Sequence, residues 1–205
     1  MPLRYSQSAL ICVLLAITVL LGGCGEKSSP DVSENLQFDV NPELLAAAYS
    51  DATHGISIHP PAHWEKASAP LFEAFKDRLA QQMISDSLYR LSPVQLFGSF
   101  EDGRILIVSE IESATSVSSL TEFAKSYRAD LNNKFPGVSI RETNFAINGI
   151  PVFQYLLMLD KMVAFKLVLE SPGGKHLQLD YSISRQNYEG LLKSIEASIG
   201  SLRAL

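Results

Sequence analysis

The chain has 205 residues, with 17 Lys and Arg against 22 Asp and Glu, a formal net charge of −5 and a 46% hydrophobic composition. This balance leaves no basic cluster of the kind that grips phosphate backbones or anionic lipid, so nucleic acid is excluded as a partner. The apolar fraction is that of a folded domain, and the length allows one domain, at most two.

The first eight residues carry one side-chain charge, Arg4, and residues 9–21 (ALICVLLAITVLL) carry none. A short basic start followed by an apolar run reads as the n- and h-regions of a secretory signal. At 13 residues the run is too short for a transmembrane helix, which takes about 20, and Glu26 and Lys27 close it. The two cysteines are Cys12 and Cys24. Cleavage near residue 23 would remove Cys12 and leave Cys24 without a partner in its own chain. Residues 26–35 (EKSSPDVSEN) are polar and aperiodic, a tether. Continued to Val40, about sixteen flexible residues span roughly 20–25 Å.

Leu21-Gly22-Gly23-Cys24 at the end of the apolar run resembles the lipobox of bacterial lipoproteins, with Gly22 where Ala or Ser is more usual. The resemblance implies cleavage between Gly23 and Cys24, diacylglycerol on the Cys24 thiol and membrane attachment through acyl chains. Each buried methylene contributes about 0.8 kcal/mol, so two or three chains hold essentially permanently where one holds marginally. Cleavage also removes Arg4, making the mature chain one unit more acidic, so lipid rather than charge would provide the attachment. Gly25 follows where an Asp would favour the inner membrane, so the expected address is the cell envelope, on an outer membrane facing the periplasm if the source has one. The expected division is a signal peptide at 1–23, a lipidated Cys24 and tether at 24–40, and a domain at 41–205.

Periodic patterns begin at residue 41. Asn41-Pro42-Glu43 before LLAAAY predicts a short capped helix. Residues 55–59 (GISIH) alternate as a strand that Pro60-Pro61 stops. Residues 70–85 predict a helix with Leu71, Phe72, Phe75, Leu79 and Met83 on one face. Strands at 94–101 and 104–112 flank Asp102-Gly103, a turn pair that accepts positive φ. Ser119 and Glu122 form a capping box for a helix over 119–135 with Leu120, Phe123, Ala124, Tyr127 and Leu131 in one stripe. Strands at 138–147, 150–159, 162–171 and 175–184 follow, joined by two or three residues, so neighbours run antiparallel. A last helix over 186–202 carries Tyr188, Leu191, Leu192, Ile195, Ile199 and Leu202 on one face.

These elements imply an α+β fold, an antiparallel meander flanked by helices in an α/β/α sandwich. From GISIHPPAHW (residues 55–64), through INGIPVFQY (147–155) to the closing Tyr188–Leu202 pattern, the chain resembles the PsbP-like fold, which includes the DcrB-like bacterial lipoproteins. The resemblance covers roughly residues 50–204 and implies a mostly non-catalytic binding or assembly module with no shared catalytic set and no cofactor.

Residue by residue, no constellation suggests an enzyme. His59 and His63 bracket two prolines and are weak metal candidates, since no third ligand is placed by spacing and the prolines forbid a helix that would align them. His54 and His176 read as lone histidines. Trp64 reads as core, and Gly173-Gly174-Lys175 as a hairpin turn rather than a phosphate loop. No G-x-S-x-G elbow supports a serine hydrolase. The expected role is a lipid-anchored binding or assembly protein with a protein partner in the envelope. The alternative is a small-ligand carrier or envelope enzyme with a pocket between sheet and helix, marked by a cavity lined with convergent polar groups.

Overall fold

The computed structural model describes residues 38–82, 88–113 and 119–205. The expected signal peptide, Cys24, most of the tether and the 83–85 end of the first long helix lie outside the described residues.

Among the described residues, ten strands and three α-helices follow one another: β1 (Tyr49–Asp51), β2 (Ile56–Ile58), β3 (Glu65–Lys66), α1 (Ala69–Gln82), β4 (Tyr89–Ser99), β5 (Arg104–Ser113), α2 (Leu120–Lys134), β6 (Ser139–Ile147), β7 (Ile150–Met158), β8 (Met162–Glu170), β9 (His176–Ser184), α3 (Tyr188–Gly200) and β10 (Arg203–Ala204). Seven strands form one antiparallel sheet in the order β3-β4-β5-β9-β8-β7-β6, and β1-β2-β10 form a smaller one. The β6 to β9 run is the expected meander. Its first hairpin turns on Asn148 (φ 49°) and Gly149 (φ 83°), the left-handed pair that matches strand twist.

Alternation along the strands builds two cores. On one face, Phe123, Tyr127 and Leu131 of α2 pack on Ile140, Tyr155, Leu157, Ala164 and Val168. On the other, Ile195 and Ile199 of α3 and Ile56 and Ile58 of β2 pack on Leu177, Leu179, Tyr181 and Ile183 of β9. Trp64 is buried in this second core with its ring 6.3 Å from Tyr181. The sheet is therefore covered on both faces, the expected α/β/α sandwich.

Two expectations are corrected, and one apolar stripe lies outside the core. Asn41 caps a single 3-10 turn, Pro42–Leu44, through a 3.0 Å bond from the Glu43 N–H, and no helix follows over the alanines. Leu45 instead bridges to Pro61, the Ala46 N–H bonds the Pro60 carbonyl at 2.8 Å, and the Ala46 carbonyl meets the His59 ring at 2.9 Å. These tertiary contacts override the helix propensity of alanine. Strand β4 begins at Tyr89, not 94, and runs through Pro93 with a register shift between Pro93 and Gln95. A proline is tolerated there because β3 pairs only with Phe97 and Gly98, so β4 is an edge at Pro93. The apolar stripe of α1 is not core: Leu71 is 40% exposed and Phe72, Phe75 and Leu79 are half-buried.

Candidate functional site

The expected anchoring residues Gly23 and Cys24 lie outside the described residues. The two weak metal candidates are accounted for locally. His59 spends Nδ1 on the Ala46 carbonyl at 2.9 Å and its N–H on Ser201 Oγ at 2.9 Å. His63 is exposed and sits in a turn at φ 65°. No group of three or more His, Cys, Asp or Glu fit to hold a metal occurs among the described residues.

His54, read from sequence as lone, is the centre of a charged chain. The turn after β1 is set by Asp51, whose Oδ1 accepts from the Thr53 N–H at 3.0 Å and the His54 N–H at 3.2 Å. That Asx turn brings the imidazole back, placing Nδ1 2.6 Å from Asp51 Oδ2. Nε2 reaches across to Glu110 Oε2 of β5 at 3.3 Å, and Glu110 Oε1 accepts from Lys175 Nζ at 2.7 Å. Asp51 and His54 are each 6% exposed. Burial pulls the His54 pKa down, but hydrogen bonds to Asp51 and Glu110, with their charges, outweigh it and hold it above the usual imidazole value. Burial likewise raises Asp51, and the His54 ring and amide overcome this to leave it below the usual range. Lys175 and then His54 lower Glu110. Tyr49, which donates to Asp51 Oδ2 at 3.3 Å, is pushed up to about 12 by burial and then by the Asp51 charge. The sequence signal was D-x-x-H-G, an Asx turn closed by Gly55 at φ 67°.

A second polar cluster lies between the large sheet and α2. Polar residues alternate along β9 as Gln178, Asp180 and Ser182, opposite the side that bears Leu177, Leu179 and Tyr181. Asp180 pairs in register with Lys166 of β8, whose Nζ donates to Oδ2. Gln178 Nε2 and Ser182 Oγ also donate to the Asp180 carboxylate, each at 3.2 Å, while Tyr127 of α2 donates its hydroxyl to Gln178 Oε1. Burial first, and Asp180 next, raise the Tyr127 pKa well above its ordinary value. The polar period-2 pattern inside an apolar strand was the available signal.

These groups converge beneath a helix, as a pocket would require, but they spend their bonding capacity on one another. Two grooves lie elsewhere. One, of about 270 Å³, runs between α1 and β4 and includes Lys76, Leu79, Arg90 and Pro93. The other, of about 470 Å³, lies by Val40, Asn148, Gly200 and Arg203. Ser92 also lines the first groove, its Oγ donating to Glu112 Oε1 at 3.3 Å.

The layers define an α+β sandwich with two clusters of mutually bonded polar groups. Its solved structural neighbours include cyanobacterial PsbP (CyanoP) from Synechocystis sp. PCC 6803, with a TM-score of 0.50 at 15% identity over 79% of this chain and 94% of that one. The fold is thus PsbP-like. Weaker likenesses are to protein PA94 of Pseudomonas aeruginosa (TM-score 0.43, 8% identity, 78% of this chain and 96% of that one) and to LpqN, involved in cell envelope biogenesis of Mycobacterium tuberculosis (TM-score 0.36, 14% identity, 58% and 79%). No family model and no curated protein sequence matches the chain.

Proposed function

We propose that this chain is a lipid-anchored module of the cell envelope that binds or assembles rather than catalyses. Cys24 carries the acyl chains, cleavage falls between Gly23 and Cys24, and Gly25 directs the protein to an outer membrane facing the periplasm where one exists. The reading rests on the lipobox in the sequence and, in the structure, on the root of the tether. There Phe38 packs its ring 5.4 Å from Phe145 of β6 and its Cβ over Gly200 of α3. About fourteen residues separate that root from Cys24, a flexible reach of roughly 20 Å. The domain is thereby held beside the membrane at high local concentration toward a protein partner there. That the polar clusters are mutually engaged supports a binding role over a catalytic one. No helix among the described residues is long and apolar enough to cross a membrane.

The test is fractionation and metabolic labelling with a palmitate analogue. The native chain should label and sediment with membranes, and Cys24→Ser should do neither. A Cys24→Ser protein that stays with the membrane, or a native chain that does not label, would overturn the anchor. Capture from detergent-solubilised membranes against a tether-only control tests the binding role; turnover of an envelope substrate by the purified protein would refute it.

A further inference from the structure

We propose that His54 is a pH-operated latch between the small and large sheets, with Glu110 passing from His54 to Lys175 when the imidazole loses its proton. The small sheet packs on the large one through Ile56 and Ile58 of β2, and the β1–β2 turn is the end of that contact. Gly55 packs so closely on Pro172 of the β8–β9 turn that a Cβ there would lie 3.3 Å from Pro172 Cγ, and the Gly55 carbonyl accepts from the Leu205 N–H at 2.9 Å. The side-chain tie from this turn to β5 is His54 Nε2 to Glu110.

A ring nitrogen facing a carboxylate must carry a proton, and His54 faces two carboxylates. Only the imidazolium satisfies both. When one proton leaves, the other stays on Nδ1, because that bond is the shorter, 2.6 Å against 3.3 Å, and its partner Asp51 is the more buried. Nε2 then turns a lone pair on Glu110, and attraction becomes repulsion. Glu110 is not left uncompensated, since Lys175 holds its other oxygen at 2.7 Å and is exposed enough to follow it. The charged and titratable groups around His54 are Asp51 and Tyr49 from β1, Glu110 from β5 with Glu112 beyond it, and Lys175 from the β8–β9 turn. The 203–205 segment meets the turn through its main chain.

The sign follows from the directions of the shifts. His54 lies above its ordinary value, so its stabilisation is complete below about pH 6.5 and fades as pH rises through the raised midpoint. Asp51 and Glu110 lie below theirs, so their stabilisation is present above about pH 4 and fades as pH falls through the lowered midpoints. The latch is shut in mildly acid solution and opens on the alkaline side. Between the ordinary and raised imidazole midpoints its opening constant grows by up to about tenfold per pH unit.

The experiment is an NMR titration of the domain from pH 5.5 to 9, reading the His54 ring nitrogens and the Gly55–Pro172 nuclear Overhauser contact. Above a midpoint higher than 6.5, Nε2 should take the unprotonated shift while Nδ1 keeps its proton, and the contact should weaken in step. In Glu110→Gln the side-chain amide can accept from the imidazolium or donate to neutral Nε2, so the contact should persist across the range. Exposed Lys175→Ala frees Glu110 for His54 and should raise the midpoint. A contact independent of pH, deprotonation at Nδ1, or a Glu110→Gln contact that still weakens with pH would overturn the latch.

Discussion

Replacing Lys166 with methionine should cost the domain about 3 kcal/mol at pH 7. Methionine keeps the length and most of the volume of the lysine stem, so packing changes little. The charge balance changes a great deal. The Lys166 and Asp180 side chains are 13% and 10% exposed, and breaking such a pair from one side costs about 3–5 kcal/mol because the other charge stays behind. Asp180 keeps two neutral donors at 3.2 Å, Gln178 Nε2 and Ser182 Oγ, which places the cost at the lower end. Urea unfolding followed through the fluorescence of Trp64, the sole tryptophan and a buried one, measures the cost. Lys166→Met with Asp180→Leu should recover part of the loss, since no charge is left behind, although Gln178 Nε2 and Ser182 Oγ lose their acceptor. A penalty below about 1 kcal/mol at pH 7 would refute the claim that Asp180 depends on Lys166.

Two glycines of α3 should respond with opposite signs. At Gly200 an added Cβ would stand 2.3 Å from Phe38 Cβ and 3.0 Å from Val40 Cγ2. Gly200→Ala should therefore dislodge the tether root, cost about 1–3 kcal/mol, and speed proteolysis around Phe38; unchanged cleavage there would refute that packing. At Gly190 an added Cβ meets open space, so Gly190→Ala should stabilise by about 0.5–1 kcal/mol through helix propensity, read as a higher midpoint in urea.

What could be read ahead of the structure was whatever is written locally. The Ser119–Glu122 signature gave α2 its start, and the Ser119 Oγ does accept from the Glu122 N–H at 3.2 Å. The Asn148-Gly149 turn was legible for the same reason, since only two neighbouring residues decide it. The alanines at 46–48 misled because the partners that hold them extended, Pro60, Pro61 and His59, come from a distant turn. The stripe of α1 is real, but periodicity states which residues share a face and not whether anything covers it. The charged chain was invisible as a set because Asp51 and His54 meet Glu110 and Lys175 only after β1, β5 and the β8–β9 turn have been placed. Part of each cluster was nonetheless present as a local pattern, the Asx turn in one case and the alternating polar residues of β9 in the other.

Strand β9 belongs to both cores at once, with Leu177, Leu179, Tyr181 and Ile183 in one and the Gln178–Asp180–Ser182 row facing the other. It is also the seam on which β5 and β8, far apart in sequence, are joined. The two helical layers consequently have no separate existence. Each has the same seven strands as its opposite wall, and withdrawing one layer would bare a sheet face of leucines, isoleucines and tyrosines to water. The free energy of the domain is thus held in common across its thickness, and melting divides it into no stable halves.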